Sequence, residues 1–299
     1  MLRILVSGAS GFIGKSLIGN LLEKNNDIML IGRNLDFINS NNLKKKILDL
    51  NNFDYDHQEL IDFNPEVFIH LAWEGIPNYT EEFSKKNYIN TLKIIKTLVN
   101  STNCSKIIST GSCWEYNDGM IEGECSENLM INPQKPFSIY KNKICKEVSI
   151  IAKEKKITFN WLRLFYVYGY GQKKSSIIPM LIETFKNKKT LNMNYPANIN
   201  DFISVDDVSK IIKIFIKEDI PSGVYNAGSG MGTEIKKLLE IIDFEINGTD
   251  TLSKEYLSKM DLNKRNQNFY ACTKKLKRYI KSLEFLDINS GIKNLIKRY

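Results

Sequence analysis

Residues Arg3 to Leu22, RILVSGASGFIGKSLIGNLL, constrain this chain more than any other stretch. Ile4, Leu5 and Val6 form a short continuous apolar run, the pattern of a buried strand. The run stops at Gly8-Ala9-Ser10-Gly11, and Phe12, Ile13, Leu17 and Leu21 then recur at helical spacing. A strand, a glycine loop and a helix gather free backbone N–H groups and the positive helix end at one point, which suits a pyrophosphate. Gly8 lets the chain turn, Gly11 lets a phosphate approach, and Gly14 lets the helix press on the strand. The spacing is GxxGxxG, which differs from the GxGxxG of the standard dinucleotide fingerprint.

The rest of the composition bounds what such an opening can serve. The 299 residues suffice for one large or two modest domains, and 42% hydrophobic residues supply a sizeable core. A net charge of +8 favours anionic partners, but the lysines are dispersed and not interleaved with aromatics in a stripe. This reads as a solvated surface with a preference for phosphorylated ligands, and nucleic acid is not an expected partner. Five cysteines, an odd number without CxxC spacing, point to a reduced, cytoplasmic protein. No run approaches the ~18 apolar residues of a membrane span, and glycines interrupt the first 22 residues where a signal peptide would be continuous. Neither a membrane partner nor a metal site is expected.

The loop spacing, closed by Gly-Phe-Ile-Gly, resembles the extended short-chain dehydrogenase/reductase family, in particular its nucleotide-sugar branch. The resemblance implies an α/β fold, a Rossmann-type doubly wound parallel sheet with a smaller C-terminal α/β substrate lobe. The expected division is 1–165 for dinucleotide binding, with a return strand near 201–226, and 166–299 mainly for the nucleotide sugar. Gly8, Ser10, Gly11, Phe12, Ile13 and Gly14 are then the cofactor loop. A second strand, Asp27 to Ile31, ends in Gly32-Arg33-Asn34, with no carboxylate until Asp36. An acidic residue at that tip accepts from the ribose 2′-hydroxyl of NAD, whereas the Arg33 guanidinium suits the 2′-phosphate of NADP. NADP(H) is therefore the favoured cofactor, with NAD(H) as the alternative. Asp49-Leu50 resembles the family's adenine-binding pair, and His70-Leu71-Ala72, at the end of a strand over 66–72, its segment beneath the cofactor. Trp73 to Tyr79 is the expected loop beside the sugar, and Asn87 the asparagine that bonds to backbone and braces the site.

The catalytic group follows from two segments. A fifth strand runs into Thr110-Gly111-Ser112-Cys113-Trp114-Glu115-Tyr116, similar to the family's serine segment, with Ser112 in the catalytic position and Thr110 beside the cofactor. Pro136-Phe137-Ser138-Ile139-Tyr140-Lys141 reads onto the family's P-Y-x-x-x-K, so Lys141 is the lysine and Phe137 holds the tyrosine position. Counting back from Arg163-Leu-Phe-Tyr-Val-Tyr-Gly169, which resembles the family's RxxNVYG, gives the same register. At about 100° per residue, Tyr140 turns away from the Phe137 direction. Phenylalanine keeps the ring and lacks the hydroxyl that transfers the proton. The readings are an engineered inactive variant, which is favoured, a natural loss of catalysis, or a substitute acid such as Tyr140.

Phe165 and Val167 are expected along the cofactor, and Trp73, Ser112, Cys113, Trp114 and Tyr166 along the sugar. Asn200 and Tyr166 replace an arginine and an asparagine that often hold the diphosphate, leaving Lys173, Lys174 and Arg265 to compensate. Dehydratases of the family carry Asp-Glu directly after the catalytic Ser/Thr, and here those positions are Cys113 and Trp114. The resemblance therefore implies a 4-ketoreductase acting on a nucleotide-linked 4-keto-6-deoxy sugar in surface-glycan biosynthesis. A 4-epimerase and a non-catalytic cofactor-binding sensor are the alternatives. Helices over 81–100 and 137–155 are the expected two-fold interface of a homodimer, through Ile89, Leu92, Ile95, Ile144 and Ile151. Further on, Thr233 is expected to cap a helix over 234–242.

Overall fold

The protein is described here by a computed structural model covering residues 2–22, 26–38, 43–55, 57–281 and 284–299. Among the described residues the order is β1 (Arg3–Ser7), α1 (Phe12–Leu21), β2 (Asp27–Gly32), β3 (Leu43–Ile47), α2 (Gln58–Phe63), β4 (Val67–His70), α3 (Glu81–Ser101), β5 (Lys106–Ser112) and β6 (Glu122–Cys125). There follow α4 (Pro136–Lys155), β7 (Thr158–Leu164), β8 (Tyr166–Tyr168), α5 (Ile177–Lys186), β9 (Ile199–Ser204), α6 (Val205–Lys217) and β10 (Gly223–Ala227). The chain ends with β11 (Gly232–Glu234), α7 (Ile235–Asn247), α8 (Thr251–Leu257), β12 (Asn268–Ala271), α9 (Lys274–Lys277) and α10 (Ile288–Ile296). The apolar runs that pointed to strands at 4–6, 28–31 and 67–69 are buried strands because helices cover both sheet faces, as a parallel sheet requires.

Two compact units are present. The first gathers the residues up to Asp118 with Ile131–Arg163 and Ser209–Tyr225. Its sheet has the order β10-β7-β5-β4-β1-β2-β3, with β1 parallel to both β2 and β4. That reversal of strand order at β1 is the switch point where an open α/β sheet leaves a crevice beyond the carboxyl ends of its strands. Leu5, Phe68, Ile95, Ile107, Val148 and Trp161 belong to one core between the sheet and its helices. Helix α3 starts where Thr80 accepts from the Phe83 N–H, with Glu81 and Glu82 set against the positive helix end. Helix α4 starts on Pro136 and stops where Lys156 turns left-handed.

The second unit comprises Gly119–Met130, Leu164–Val208 and Asn226–Tyr299. Its sheet runs β11-β9-β12-β6, with β8 added alongside β9. Buried Asp201 ties this sheet together, accepting from the N–H groups of Ser229, Gly230 and Ala271. Helices α5 and α7 close a core of Leu181, Phe185, Phe202, Leu238 and Ile242. Thr233 does not cap α7: it pairs in β11 with Asn200, and Glu234 takes the N-cap position without a side-chain bond. A strand pairing claims Thr233 before its hydroxyl can turn towards the helix.

The apolar pattern on α3 and α4 divides differently from the expectation. Leu92, Ile95 and Ile144 are buried in the first unit's own core, because these two helices pack on each other and on the sheet. Ile151 is partly buried against the same core, so of the expected set Ile89 faces outward, 40% exposed, and outside that set Ile150 on α4 is 58% exposed.

Candidate active site

The site is built first from backbone. Gly8 sits at φ +76°, and a Cβ there would lie 2.6 Å from the Ala72 nitrogen, so a side chain would meet both strain and collision. A Cβ on Gly14 would lie 2.3 Å from the Gly8 carbonyl oxygen, which is how closely α1 approaches the loop. Helix α1 has no side-chain cap and no acid in its first turn, so its N–H groups stay open to an anion.

Beyond this loop lies a cavity of about 230 Å³ lined by Gly8, Ser10, Gly11, Arg33, Asp49, Leu50, Leu71, Ala72 and Trp73 among others. A set of an open helix end, small residues and polar side chains around one cavity fits a dinucleotide. Phe12 and Ile13 stand half-exposed in the first turn of α1, and Gly14 is buried behind them. Phe165 and Val167 belong to the second unit.

Beneath the cavity His70 is 4% exposed and held at both nitrogens, Nδ1 against the Ser7 hydroxyl at 2.7 Å and Nε2 against Thr91 at 2.8 Å. Burial, with the Lys141 charge nearby, lowers its pKa to about 3, so it is a neutral structural link. Asn87 braces the next turn: its amide oxygen accepts from the Glu74 N–H and its amide nitrogen donates to the Glu74 and Phe83 carbonyls.

Ser112 ends β5, and its hydroxyl accepts from the Trp114 N–H at 3.2 Å. Lys141 on α4 is 7% exposed, donates to the Thr110 carbonyl at 2.7 Å and lies 4.1 Å from the centre of the Trp73 ring. Burial pulls its ammonium down to about 7, with the Glu115 carboxylate pulling the other way. Phe137, one turn earlier, packs edge-on against Trp73 and tilted against Tyr79, with its ring centre 6.0 Å from Lys141 Nζ. Tyr140 points elsewhere, donating to Glu81 on α3 at 2.5 Å, and that bond raises its pKa. Cys113 is buried and Trp114 stacks obliquely on Tyr79.

Three residues escaped the sequence reading in these roles. Glu115, fully buried, accepts from the Ser112 N–H at 2.9 Å, from Trp161 Nε1 at 3.0 Å and from Arg163 Nε at 3.1 Å. Its sequence signal is the S-x-x-E spacing from Ser112 to Glu115, a capping box in which the carboxylate reaches back to the Ser112 N–H. Glu74 bonds Arg33 Nη1 at 2.7 Å, with Asn51 Nδ2 and Lys86 Nζ each at 3.3 Å from its second oxygen. Partial burial pushes the Glu74 carboxyl up, but Asn51, Lys86 and Arg33 outweigh it and hold it below its ordinary value. Tyr79 presents a phenol against the Phe137 ring, and burial raises its pKa.

In the second unit, Tyr166 donates to Gln267 at 3.1 Å and lines a cavity of about 380 Å³ with Tyr195, Asn198, Asn200 and Phe202. Arg265 faces Glu122 at 3.7 Å, both largely exposed, and Lys173 lies in the turn before α5. Among the described residues no cluster of His, Cys, Asp and Glu could hold a metal ion, and no helix is long and apolar enough to cross a membrane.

A parallel sheet with a glycine loop at its switch point, beside a serine and a buried lysine, defines a Rossmann-type dinucleotide-binding protein. The chain belongs to the NAD dependent epimerase/dehydratase family, whose model matches residues 4–228. It is 27% identical over 248 residues to GDP-6-deoxy-D-talose 4-dehydrogenase of Aggregatibacter actinomycetemcomitans, covering 81% of this chain and 79% of that protein. It is 24% identical over 266 residues to dTDP-4-dehydro-6-deoxyglucose reductase of Escherichia coli, covering 82% of each. The fold is shared with UDP-glucose 4-epimerase of Thermotoga maritima, solved with UDP-glucose, at a TM-score of 0.85 and 18% identity over 99% of this chain and 98% of that one.

Proposed function

We propose that this protein is an oxidoreductase that reduces the 4-keto group of a nucleotide-linked 4-keto-6-deoxyhexose, with NADPH as the favoured hydride source. The observation that carries the reading is the placement of Lys141 against Trp73, which itself lines the cavity behind the glycine loop. Two relatives whose names specify oxidation or reduction at C4 of a nucleotide 6-deoxyhexose support the substrate class. The dinucleotide supplies the hydride when bound. This chain's own residues do the rest: the Ser112 hydroxyl donates to the C4 carbonyl oxygen, and Lys141 holds the nicotinamide ribose and lends positive charge. Cys113 and Trp114, in place of the paired acids that elimination needs, support reduction over dehydration.

The proton-donor position is Phe137, so the chain as it stands turns over slowly, as an engineered knockout or a natural loss would. Arg33 supports NADPH through a charge-assisted contact to the 2′-phosphate. The division of labour is a dinucleotide domain over 1–165, with a return strand near 201–226, and a mainly sugar-nucleotide lobe over 166–299. In the second, Tyr166, Lys173 and Arg265 serve the nucleotide diphosphate. Exposed Ile89 and Ile150 on α3 and α4 support a homodimer through these helices. The five cysteines are all buried thiols, which supports a reducing, cytoplasmic setting.

The test is to screen nucleotide-linked 4-keto sugars for NADPH oxidation with the Phe137→Tyr protein. Steady oxidation with one sugar nucleotide is expected. Interconversion of 4-hydroxy sugars without net cofactor consumption would instead establish the 4-epimerase, and tight cofactor binding with no turnover of either kind the sensor.

A further inference from the structure

The tip of β2 carries Arg33 and no acid, yet the cavity beside it does hold a carboxylate, delivered from the other side of β1. Glu74 follows β4, and β1 lies between β4 and β2 in the sheet, so the contact spans 41 residues of sequence and one intervening strand. Its backbone is fixed on both sides by Asn87, 8% exposed, through the Glu74 N–H at 2.7 Å and carbonyl at 2.9 Å. The side chain is therefore presented to the cavity by a built support.

Asp49 lines the same cavity, but its Oδ1 is taken by the Asn51 N–H and amide, at 3.0 and 2.8 Å. Glu74 instead spends its carboxylate on cations, Arg33 at 2.7 Å and Lys86 at 3.3 Å. Arg33, Lys86, Asp49 and Glu74 sum to no net charge. Glu74 takes Nη1 of Arg33, so a 2′-phosphate on the remaining guanidinium N–H groups, or in place of this carboxylate oxygen, lies beside the Glu74 negative charge.

We propose that Glu74 sets the cofactor preference of this site, occupying Arg33 and accepting from the adenosine ribose hydroxyls of NAD(H), and so opposing the 2′-phosphate of NADP(H). The proposal rests on the reading of this cavity as the adenosine site and deepens it. Arg33 attracts the phosphorylated cofactor and Glu74 moderates that attraction. With 61% of the Arg33 side chain exposed, the pair opens readily, so both dinucleotides bind and their ratio is tuned by one carboxylate.

The test is calorimetric titration of NADP(H) and NAD(H) into the intact protein and its Glu74→Gln, Glu74→Asp and Arg33→Ala variants. Glu74→Gln keeps the shape and removes the charge. It should tighten NADP(H) by roughly tenfold or more, the scale of one charge-assisted contact, and leave NAD(H) unchanged or weaker. Glu74→Asp, which keeps the charge, should stay near the parent for NADP(H). Equal changes for both cofactors, or no change in either, would overturn the proposal. If Arg33→Ala leaves NADP(H) binding intact while Glu74→Gln still shifts it selectively, the Arg33 reading fails and the Glu74 assignment stands. The reverse pattern retains Arg33 and rejects Glu74. Unchanged melting temperatures among the variants establish that affinity, not folding, was altered.

Discussion

Restoring one hydroxyl tests the catalytic register most directly. In Phe137→Tyr the new oxygen extends a ring that is 8% exposed and whose centre lies 6.0 Å from Lys141 Nζ. A phenol oxygen stands roughly 2.8 Å from its ring centre, which keeps it on the ring that the Lys141 ammonium already lies over, and that charge favours the phenolate and lowers its pKa. A positioned acid contributes about 10²–10⁴ in rate, equivalent to roughly 3–5 kcal/mol of barrier. Single-turnover oxidation of NADPH with a nucleotide 4-keto-6-deoxy sugar should rise by that factor, with cofactor affinity little changed. An unpaired buried hydroxyl would cost about 1–3 kcal/mol of stability, so a melting temperature close to the parent's indicates that the new group has found a partner. Tyr140→Phe in the restored protein should matter far less, because that phenol is committed to Glu81. No gain from Phe137→Tyr, together with loss of all activity in Tyr140→Phe, would refute the assignment of α4.

Glu115→Ala strands the Arg163 guanidinium and the Trp161 and Ser112 N–H groups in the interior; chemical denaturation should show a loss of about 3–5 kcal/mol. Lys141, lowered to about 7 from 10.5, binds a proton in the unfolded chain that the native state lacks within that window. Its contribution to stability therefore rises with pH from about 7 to 10.5, and Lys141→Met should stabilise most below pH 7 and progressively less above it, read from melting temperatures across that range. Ile89→Glu with Ile150→Glu should yield monomers by light scattering while the parent is a dimer; an unchanged mass would place any interface elsewhere.

Much of this architecture was legible because it depends on neighbours in the chain. The β1 strand, the glycine loop and α1 are set by sterics and hydrogen bonding within about twenty residues, and periodicity marks α3 and α4 almost to their ends. The helical angle that turns Tyr140 away from Phe137 is likewise local. The apolar residues of α3 and α4 were not resolvable in this way, since periodicity shows that Leu92, Ile95 and Ile144 are apolar but not whether their own sheet or a second copy covers them. Thr233 has a capping residue's chemistry, yet a β11–β9 pairing claimed it first. The largest difference concerns charge. From sequence, Arg33 stands alone at a strand tip, and Glu115 is one acid in a loop. Only the strand order brings Glu74 across β1 to Arg33, and only the packing of β7 beside β5 sets Trp161 and Arg163 around Glu115. Local conformation is decided by adjacent residues, whereas electrostatic partners are decided by which strands lie side by side, and no short stretch of sequence carries that information.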